Sequence, residues 1–389
     1  MKLERTLVDH YLEVFMAGIK LSGAKSGHAP DFFLIAVLVV LILLGILVLA
    51  SASSDLGRIK FGDSFYYLKH QLFNGLLPGL IGVLLAYFVP YQKYKKIALF
   101  ALIFNILLLI AVFVPSLGLK TGGSTRWLNL GFFSFQPAEF LKIFYIVYVA
   151  ALVSGTKFTS KIDFKNNFLP FFLVTGILAG LLLIQPATST VAILVASALA
   201  VYFMGGVPWK YVLAVMAIGL VIVSLLILPN GYRRDRIFGY LNPDSGSQSI
   251  NYHRNQALIA IGSGELTGMG YGKSIAKMNY LPEVVGDSIF AVLAQELGFI
   301  GAGFVVMLFV MLIVKLLLIA KNTRDKFGRY ILIGFAAVIA CQTFVNMGSI
   351  SGILPMTGVP LPFLSYGGTA LAIFMTMGGI AINVSKYSG

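Results

Sequence analysis

Long apolar stretches alternate with short polar connections along most of the chain. A helix needs roughly 20 predominantly apolar residues to cross a bilayer core of about 30 Å. The pattern predicts ten such spans, and the eighth is long enough to tilt or to extend past one membrane face. These spans cover residues 31–53, 72–89, 97–115, 138–154, 168–184, 187–205, 211–228, 288–319, 329–347 and 366–384. The expected fold is an all-α polytopic membrane protein.

The composition excludes a soluble globular protein. Hydrophobic residues make up 58% of the chain and charged residues 11%, with a mean hydropathy of +0.89, whereas a soluble domain carries roughly 25% charged residues. A single cysteine, Cys341, rules out an internal disulfide framework. The four histidines are scattered and lack the spacing of metal ligands.

The net charge of +14 does not indicate nucleic-acid binding. A nucleic-acid-binding protein gathers Lys and Arg on one soluble face, whereas here they lie in short loops between apolar runs. Cytoplasmic loops of membrane proteins carry an excess of these residues. The excess places both termini in the cytoplasm and the large loop, residues 229–286, outside. Residues 1–30 are then a cytoplasmic leader, and residues 31–389 form one ten-helix membrane domain.

The large outer loop ends at an acidic residue, Asp287, where the eighth span begins. Asp is a preferred helix N-cap, so a capping role is the ordinary interpretation. Glu283 lies four residues earlier, and six basic residues share the loop. A carboxylate held at the membrane surface by a helix N-terminus can also act as a general base. Both interpretations remain open at this point.

A second group of charged residues lies in and before the fourth span. Arg126 precedes an interfacial aromatic residue, Trp127. Glu139 and Lys142 are three residues apart, so they share a helix face and can pair. Ionisable groups at membrane depth usually mark a functional site or have a charged partner. A functional pair and a purely structural ion pair are equally consistent with this spacing.

A third segment, residues 348–368, contains five glycines and three prolines but no charge. Irregular backbone of this kind is tolerated near a membrane only where protein or a water-filled cavity surrounds it. We expect this segment to form a fixed wall beside the large loop. We also expect residues 229–286 to pack against it and against residues 116–137, which encloses one outer cavity.

These segments resemble the SEDS family of bacterial cell-wall polymerases, the RodA/FtsW type, and lie slightly nearer to FtsW. The resemblance covers essentially the whole chain. It is carried by GGSTRWLN (122–129), FQPAEFLK (135–142), AIGSG (260–264), YLPEVVGDSIFAV (280–292), ELGFIG (296–301) and GVPLPFLSYGG (358–368). The chain departs from the family pattern at four positions. Ser288 replaces a Phe, Ala187 an acidic residue, His70 an Arg and Glu265 a Gly.

The resemblance implies a peptidoglycan glycosyltransferase that joins lipid II units at the outer face of the bacterial cytoplasmic membrane. Its implied partner is a class B penicillin-binding protein, and membrane lipids surround it. The family's essential loop aspartate falls on Asp287, its charged pair on Glu139 and Lys142, and its loop arginine on Arg126. Division and elongation remain alternative roles.

The expected chemistry is an inverting transfer in which Asp287 accepts the proton of the acceptor hydroxyl. Arg126 and Lys142, with Lys277 as a third candidate, would bind the departing lipid pyrophosphate. Glu283 would position groups or bind an ion. A divalent cation, Mg²⁺ or Mn²⁺, would bridge the phosphates, although the sequence contains no dedicated metal cage.

The rival hypothesis is transport, by a lipid II flippase or another translocator of lipid-linked precursors. It accounts for an ion pair inside the membrane. It does not account for the concentration of charged and kinked sequence on one face. A scaffold that only recruits a partner is a third hypothesis, and it predicts that Asp287 is dispensable.

Overall fold

A computed structural model describes residues 28–121, 124–131, 133–155, 169–207, 248–278 and 280–388, with five isolated residues between 208 and 247. Most of the predicted leader therefore lies outside the described residues. The same holds for most of the seventh span, residues 211–228, and for the first part of the large loop.

The described residues confirm an all-helical membrane domain. Seven helical segments are long and apolar enough to cross a membrane, and two shorter apolar helices lie at predicted spans. The helices are α1 (Phe32–Phe61), α2 (Tyr66–Gln71), α3 (Leu77–Phe88), α4 (Gln92–Ala111), α5 (Pro137–Gly155), α6 (Leu169–Ile184), α7 (Thr188–Met204), α8 (Gln248–Ser263), α9 (Ile289–Asn322), α10 (Lys326–Ile350) and α11 (Gly368–Ser385). A π-helical turn, Leu72–Leu76, joins α2 and α3 into one span.

Local signals in the sequence set several helix ends. The side chains of Asp31 and Asp325 accept hydrogen bonds from the first turns of α1 and α10, as N-cap aspartates do. Helix α1 ends at Gly62, whose φ of 71° lies in the left-handed region that glycine adopts without strain. Helix α8 lies within the segment predicted as the large loop.

The glycines that follow α8 allow two backbones to approach closely. Helix α9 breaks at Gly298, where φ is 68°. The backbone N–H groups of Met269 and Gly270 donate to the carbonyls of Gln295 and Glu296, each at 3.0 Å. A Cβ atom on Gly268 would lie 2.2 Å from the Glu296 carbonyl oxygen. The glycine run therefore packs against the broken turn of α9.

A small antiparallel sheet is an addition that the apolar pattern did not predict. Its strands are β1 (Gly118–Thr121), β2 (Ser124–Asn129) and β3 (Ser134–Phe135), in the order β1-β2-β3. The sheet occupies the segment between α4 and α5 and holds Arg126 on β2. Strands this short leave little hydrophobic periodicity to detect.

Glycine also allows α3 and α11 to pack closely. A Cβ atom on Gly379 would lie 2.8 Å from Cα of Val83 and 3.1 Å from Cβ of Ala86. Small residues at such contacts let membrane helices approach each other. Helix α11 thereby fits between α3 and α5, where it contacts both.

This contact gives a first prediction. Gly379→Leu should destabilise the protein by about 1–3 kcal/mol, because overpacking forces side chains and backbone to shift. Gly303→Leu on α9 is the matched control, because no atom of the described residues outside the local helix backbone lies within 4 Å of a Cβ atom there. Thermal unfolding in detergent should show a lower melting temperature for the first variant only. Equal melting temperatures would mean that α3 and α11 are not in close contact.

Candidate active site

Asp287 lies in a buried turn directly before α9. Its side chain is largely buried, and the residue is 8% exposed. The carboxamide of Asn346 on α10 donates to the backbone carbonyls of Asp287, at 2.8 Å, and of Val359, at 2.7 Å. One buried amide therefore joins the start of α9 to the segment between α10 and α11.

The ordinary N-cap interpretation of Asp287 is wrong. Helix α9 begins at Ile289, and Ser288 occupies the N-cap position without a capping hydrogen bond from its side chain. Asp287 thus lies one residue before the cap, because the turn over 283–288 ends one residue later than the sequence suggested. Its carboxylate oxygen Oδ2 faces Gly358, with 3.7 Å between that oxygen and an ideal Cβ position.

The segment between α10 and α11 forms the expected wall beside the end of the large loop. The Tyr366 N–H donates to the Val285 carbonyl at 2.8 Å, and the Ser365 hydroxyl donates to the Gly286 carbonyl at 2.6 Å. The side chain of Gln71 contacts the same wall through Ser365 and Gly367. These bonds confirm the packing of residues 348–368 against the described end of the large loop.

Tyr366 and His70 form a polar contact beside this wall. The Tyr366 hydroxyl lies 3.0 Å from Nδ1 of His70. Burial raises the pKa of Tyr366 to about 12, so its hydroxyl stays protonated at neutral pH. His70 stands where the resemblance implies an arginine, and it is exposed in this structure. A tyrosine–histidine contact therefore occupies that position.

Glu283 lies at the turn that precedes Asp287. It is an exposed residue with a φ of 49°, a strained value for a residue with a side chain. Its carbonyl accepts hydrogen bonds from the N–H groups of Gly286 and Ser288, at 2.9 and 3.3 Å. Glu283 therefore helps to shape the turn, which fits the predicted positioning role. Ion binding by its side chain stays a prediction.

Glu139 and Lys142 form the predicted ion pair near the start of α5. Nζ of Lys142 lies 2.7 Å from Oε2 of Glu139, and both side chains are buried. The same ammonium lies 4.9 Å from the ring centroid of Phe374 on α11, within the range of a cation–π contact. The pair thus joins α5 to the helix that follows the wall.

Arg126 is held by backbone carbonyls at the end of α6. Its Nε donates to the Gln185 carbonyl at 2.8 Å, and one of its terminal nitrogens, Nη2, donates to the Pro186 carbonyl at 2.7 Å. The side-chain amide of Gln185 donates a hydrogen bond to the Leu109 carbonyl on α4. Asn105, one turn earlier on α4, donates to the Pro137 carbonyl at the start of α5.

The structure divides the predicted site residues into two groups. Arg126, Glu139 and Lys142 lie around the ends of α4, α5 and α6, whereas Asp287 and Glu283 lie beside the wall. Helix α11 connects them: the Gln136 N–H before α5 lies 3.4 Å from the Thr369 hydroxyl of α11. A single outer cavity enclosed by all three segments stays a prediction.

Lys277 belongs to a buried polar cluster that the sequence did not predict. Its ammonium donates to the Gly272 carbonyl at 2.7 Å and the Ser51 hydroxyl at 3.2 Å, and lies 3.3 Å from Oε1 of Glu296. Gln295 accepts a hydrogen bond from Ala276 in the same region. The cluster joins α1 and α9 to the glycine-rich segment. The role of Lys277 in binding phosphate stays a prediction.

A polar signal for this cluster was present in the sequence. Glu296 is an acidic residue inside the eighth span, at a depth where ionisable groups need partners. Among the described residues, His, Cys, Asp and Glu form no group of three or more that could hold a metal ion. The expected divalent cation stays a prediction.

The sequence of the chain is similar to those of one protein family. A family model described as FtsW/RodA/SpoVE cell cycle protein matches residues 31–389. The chain is 34% identical over 361 residues to the stage V sporulation protein E of Bacillus subtilis, with 92% of this chain and 98% of that protein covered. It is 36% identical over 361 residues to a probable peptidoglycan glycosyltransferase FtsW of Coxiella burnetii, with 91% of this chain and 96% of that protein covered.

Solved structures share the fold. One is described as "Structural coordination of polymerization and crosslinking by a peptidoglycan synthase complex". It has a TM-score of 0.74 and 25% identity, and the match covers 93% of this chain and 99% of that chain. The crystal structure of the rod shape determining protein RodA of Thermus thermophilus has a TM-score of 0.68 and 25% identity. That match covers 92% of this chain and 97% of that chain.

The buried ion pair gives a second prediction. Lys142→Met should destabilise the protein by about 3–5 kcal/mol, because it leaves the Glu139 carboxylate buried without its partner. The double variant Glu139→Gln/Lys142→Met should recover most of that loss in thermal unfolding. If Lys142 also contacts substrate, the double variant should stay inactive although it is stable. Full activity in the double variant would assign the pair to folding alone.

Proposed function

Because the chain belongs to the FtsW/RodA/SpoVE family, we propose that it is a peptidoglycan glycosyltransferase that polymerises lipid II at the outer face of the bacterial cytoplasmic membrane. Relatives named as probable peptidoglycan glycosyltransferases match almost their whole length to this chain. The observation that carries the proposal is Asp287, a largely buried acidic residue directly before a long membrane helix. The protein is multi-pass, with both termini in the cytoplasm.

The proposed reaction is an inverting glycosyl transfer between two lipid-linked disaccharides. Asp287 accepts the proton of the acceptor sugar hydroxyl as its oxygen attacks the anomeric carbon of the donor. The bond from that carbon to the lipid pyrophosphate breaks, and the pyrophosphate leaves with the electron pair. The N-terminus of α9 favours negative charge nearby, which keeps the carboxylate ready to accept a proton.

The departing pyrophosphate needs cations, and Arg126 and Lys142 are the proposed ones. Two backbone carbonyls fix the orientation of the Arg126 guanidinium. A guanidinium fork matches phosphate oxygens in a bidentate manner. Lys142 would exchange part of its contact with Glu139 for a phosphate oxygen. A divalent cation would bind the same pyrophosphate, and the proposed roles of Asp287, Arg126 and Lys142 do not depend on it.

The proposed partner is a class B penicillin-binding protein, which would crosslink the strands that this chain makes. Support comes from the structural match to a chain of a peptidoglycan synthase complex. The role in division or elongation follows from that partner. The similarity to FtsW relatives leans towards division, and elongation stays the alternative role.

The third prediction tests the general base. Asp287→Asn retains size and hydrogen-bonding capacity but cannot accept the proton, so lipid II polymerisation should fall about 10²–10⁴-fold. Asp287→Glu should also retain little activity, because the carboxylate moves by one methylene group. Glu283→Gln is the matched control in the same turn and should have a milder effect. Polymerisation by folded Asp287→Asn at the wild-type rate would refute the catalytic role.

The fourth prediction tests the phosphate contact. Arg126→Ala should lower polymerisation, and Arg126→Lys should restore only part of it, because an ammonium is a point charge without the planar fork. The measurement is the polymerisation rate at matched protein levels. Lys120→Ala on β1 is a control that removes a nearby exposed charge. Full activity in Arg126→Lys would instead indicate general electrostatic attraction.

A further inference from the structure

Ser288, the residue that departs from the family's phenylalanine beside the aspartate, forms a hydrogen-bonded array. It is fully buried, with 0% exposure. Its hydroxyl lies 2.7 Å from Nε2 of His253 on α8 and 2.9 Å from the Pro282 carbonyl. The same oxygen lies 3.5 Å from Oδ1 of Asp287. A histidine is thus connected to the proposed base through one buried hydroxyl.

The number of available protons defines the direction of these bonds. A serine hydroxyl has one proton to donate and two lone pairs, and a carbonyl or carboxylate oxygen only accepts. The hydroxyl therefore donates towards Pro282 or towards Asp287. While it does so, the close contact with His253 requires that Nε2 carries hydrogen and donates to Ser288. The geometry selects this tautomer of the histidine, or its protonated form.

The other carboxylate oxygen of Asp287, Oδ2, faces Gly358, a residue of the wall that has no side chain. Gly358 has a φ of 71°, and among the described residues other than its two chain neighbours, Oδ2 is the only atom within 4 Å of its ideal Cβ position. A hydrogen bond on Oδ1 would fix the carboxylate so that Oδ2 remains directed towards this space. At 3.5 Å the bond to Oδ1 is long, as hydrogen bonds at catalytic groups often are before substrate binds.

We propose that His253 and Ser288 are positioning residues for Asp287. His253 donates Nε2–H to the Ser288 hydroxyl, which turns its proton to Oδ1 of Asp287 when the acceptor sugar binds. Oδ2 is then the oxygen that accepts the proton of the acceptor hydroxyl, in the space beside Gly358. This inference rests on the proposed function, since it assigns the support of the same base.

The experiment measures kcat and KM for lipid II polymerisation, with melting temperature, in matched variants. His253→Leu and Ser288→Ala should each lower kcat about 10–100-fold with little change in KM, because a displaced base is used less efficiently. His253→Gln offers an amide N–H in place of Nε2–H and should stay within about threefold of wild type. Tyr252→Phe, at an exposed neighbouring position, is the control and should be unaffected.

A double variant distinguishes this array from a clamp between α8 and α9. His253→Leu/Ser288→Ala should be no slower than Ser288→Ala alone, because both residues act through one hydrogen bond. The positioning role is refuted if His253→Gln is as slow as His253→Leu, or if the losses in kcat follow losses in melting temperature. Wild-type kcat in both single variants, with Asp287→Asn inactive, refutes the array but retains the proposed function. An active Asp287→Asn refutes the proposed function itself.

Discussion

The hydrogen bonds of one buried amide, Asn346, are the constraint on which the candidate site around Asp287 depends. Backbone polar groups at membrane depth need partners within the protein, because lipid offers none. The start of α9 and the segment before α11 are both irregular, and Asn346 donates to a carbonyl in each of them. Ser365 adds a second bond between the same two segments. This arrangement holds Asp287 in a fixed turn.

Charged residues within the helices follow the same requirement. The described ion pairs of Lys142 with Glu139, Lys277 with Glu296 and Lys315 with Asp31 each lie in or beside membrane helices. The last two join different parts of the chain. Buried pairs add little net stability by themselves, but the loss of one partner is costly. The pairs therefore restrict how the helices and the outer segments can be arranged.

The helices were predictable because apolar length is a strong local signal. Nine of the ten predicted spans coincide with helices of the described residues, and the remaining one, residues 211–228, lies mostly outside them. The Glu139–Lys142 pair was predictable because both residues lie on one helix. The sheet that holds Arg126 was missed because its strands are short and lie in a connection.

Contacts between distant segments were not predictable. His253 appeared as one of four scattered histidines, and only the fold places it 2.7 Å from Ser288. Similarly, Lys277 and Glu296 are 19 residues apart, and no periodic pattern relates them. Even the predicted start of the eighth span, residue 288, lies one residue before the observed start of α9 at Ile289. The turn over 283–288 is set by tertiary hydrogen bonds, and these are absent from any local pattern.

The central claim is that the helical scaffold presents a polymerase site, and not a transport pathway, at the outer face. The most direct test reconstitutes the protein in vesicles with labelled lipid II and a class B penicillin-binding protein. Glycan products are separated by size, while the label in each leaflet is followed in the same sample. The account predicts a ladder of glycan polymers. Movement of lipid II between leaflets without any polymer would contradict it.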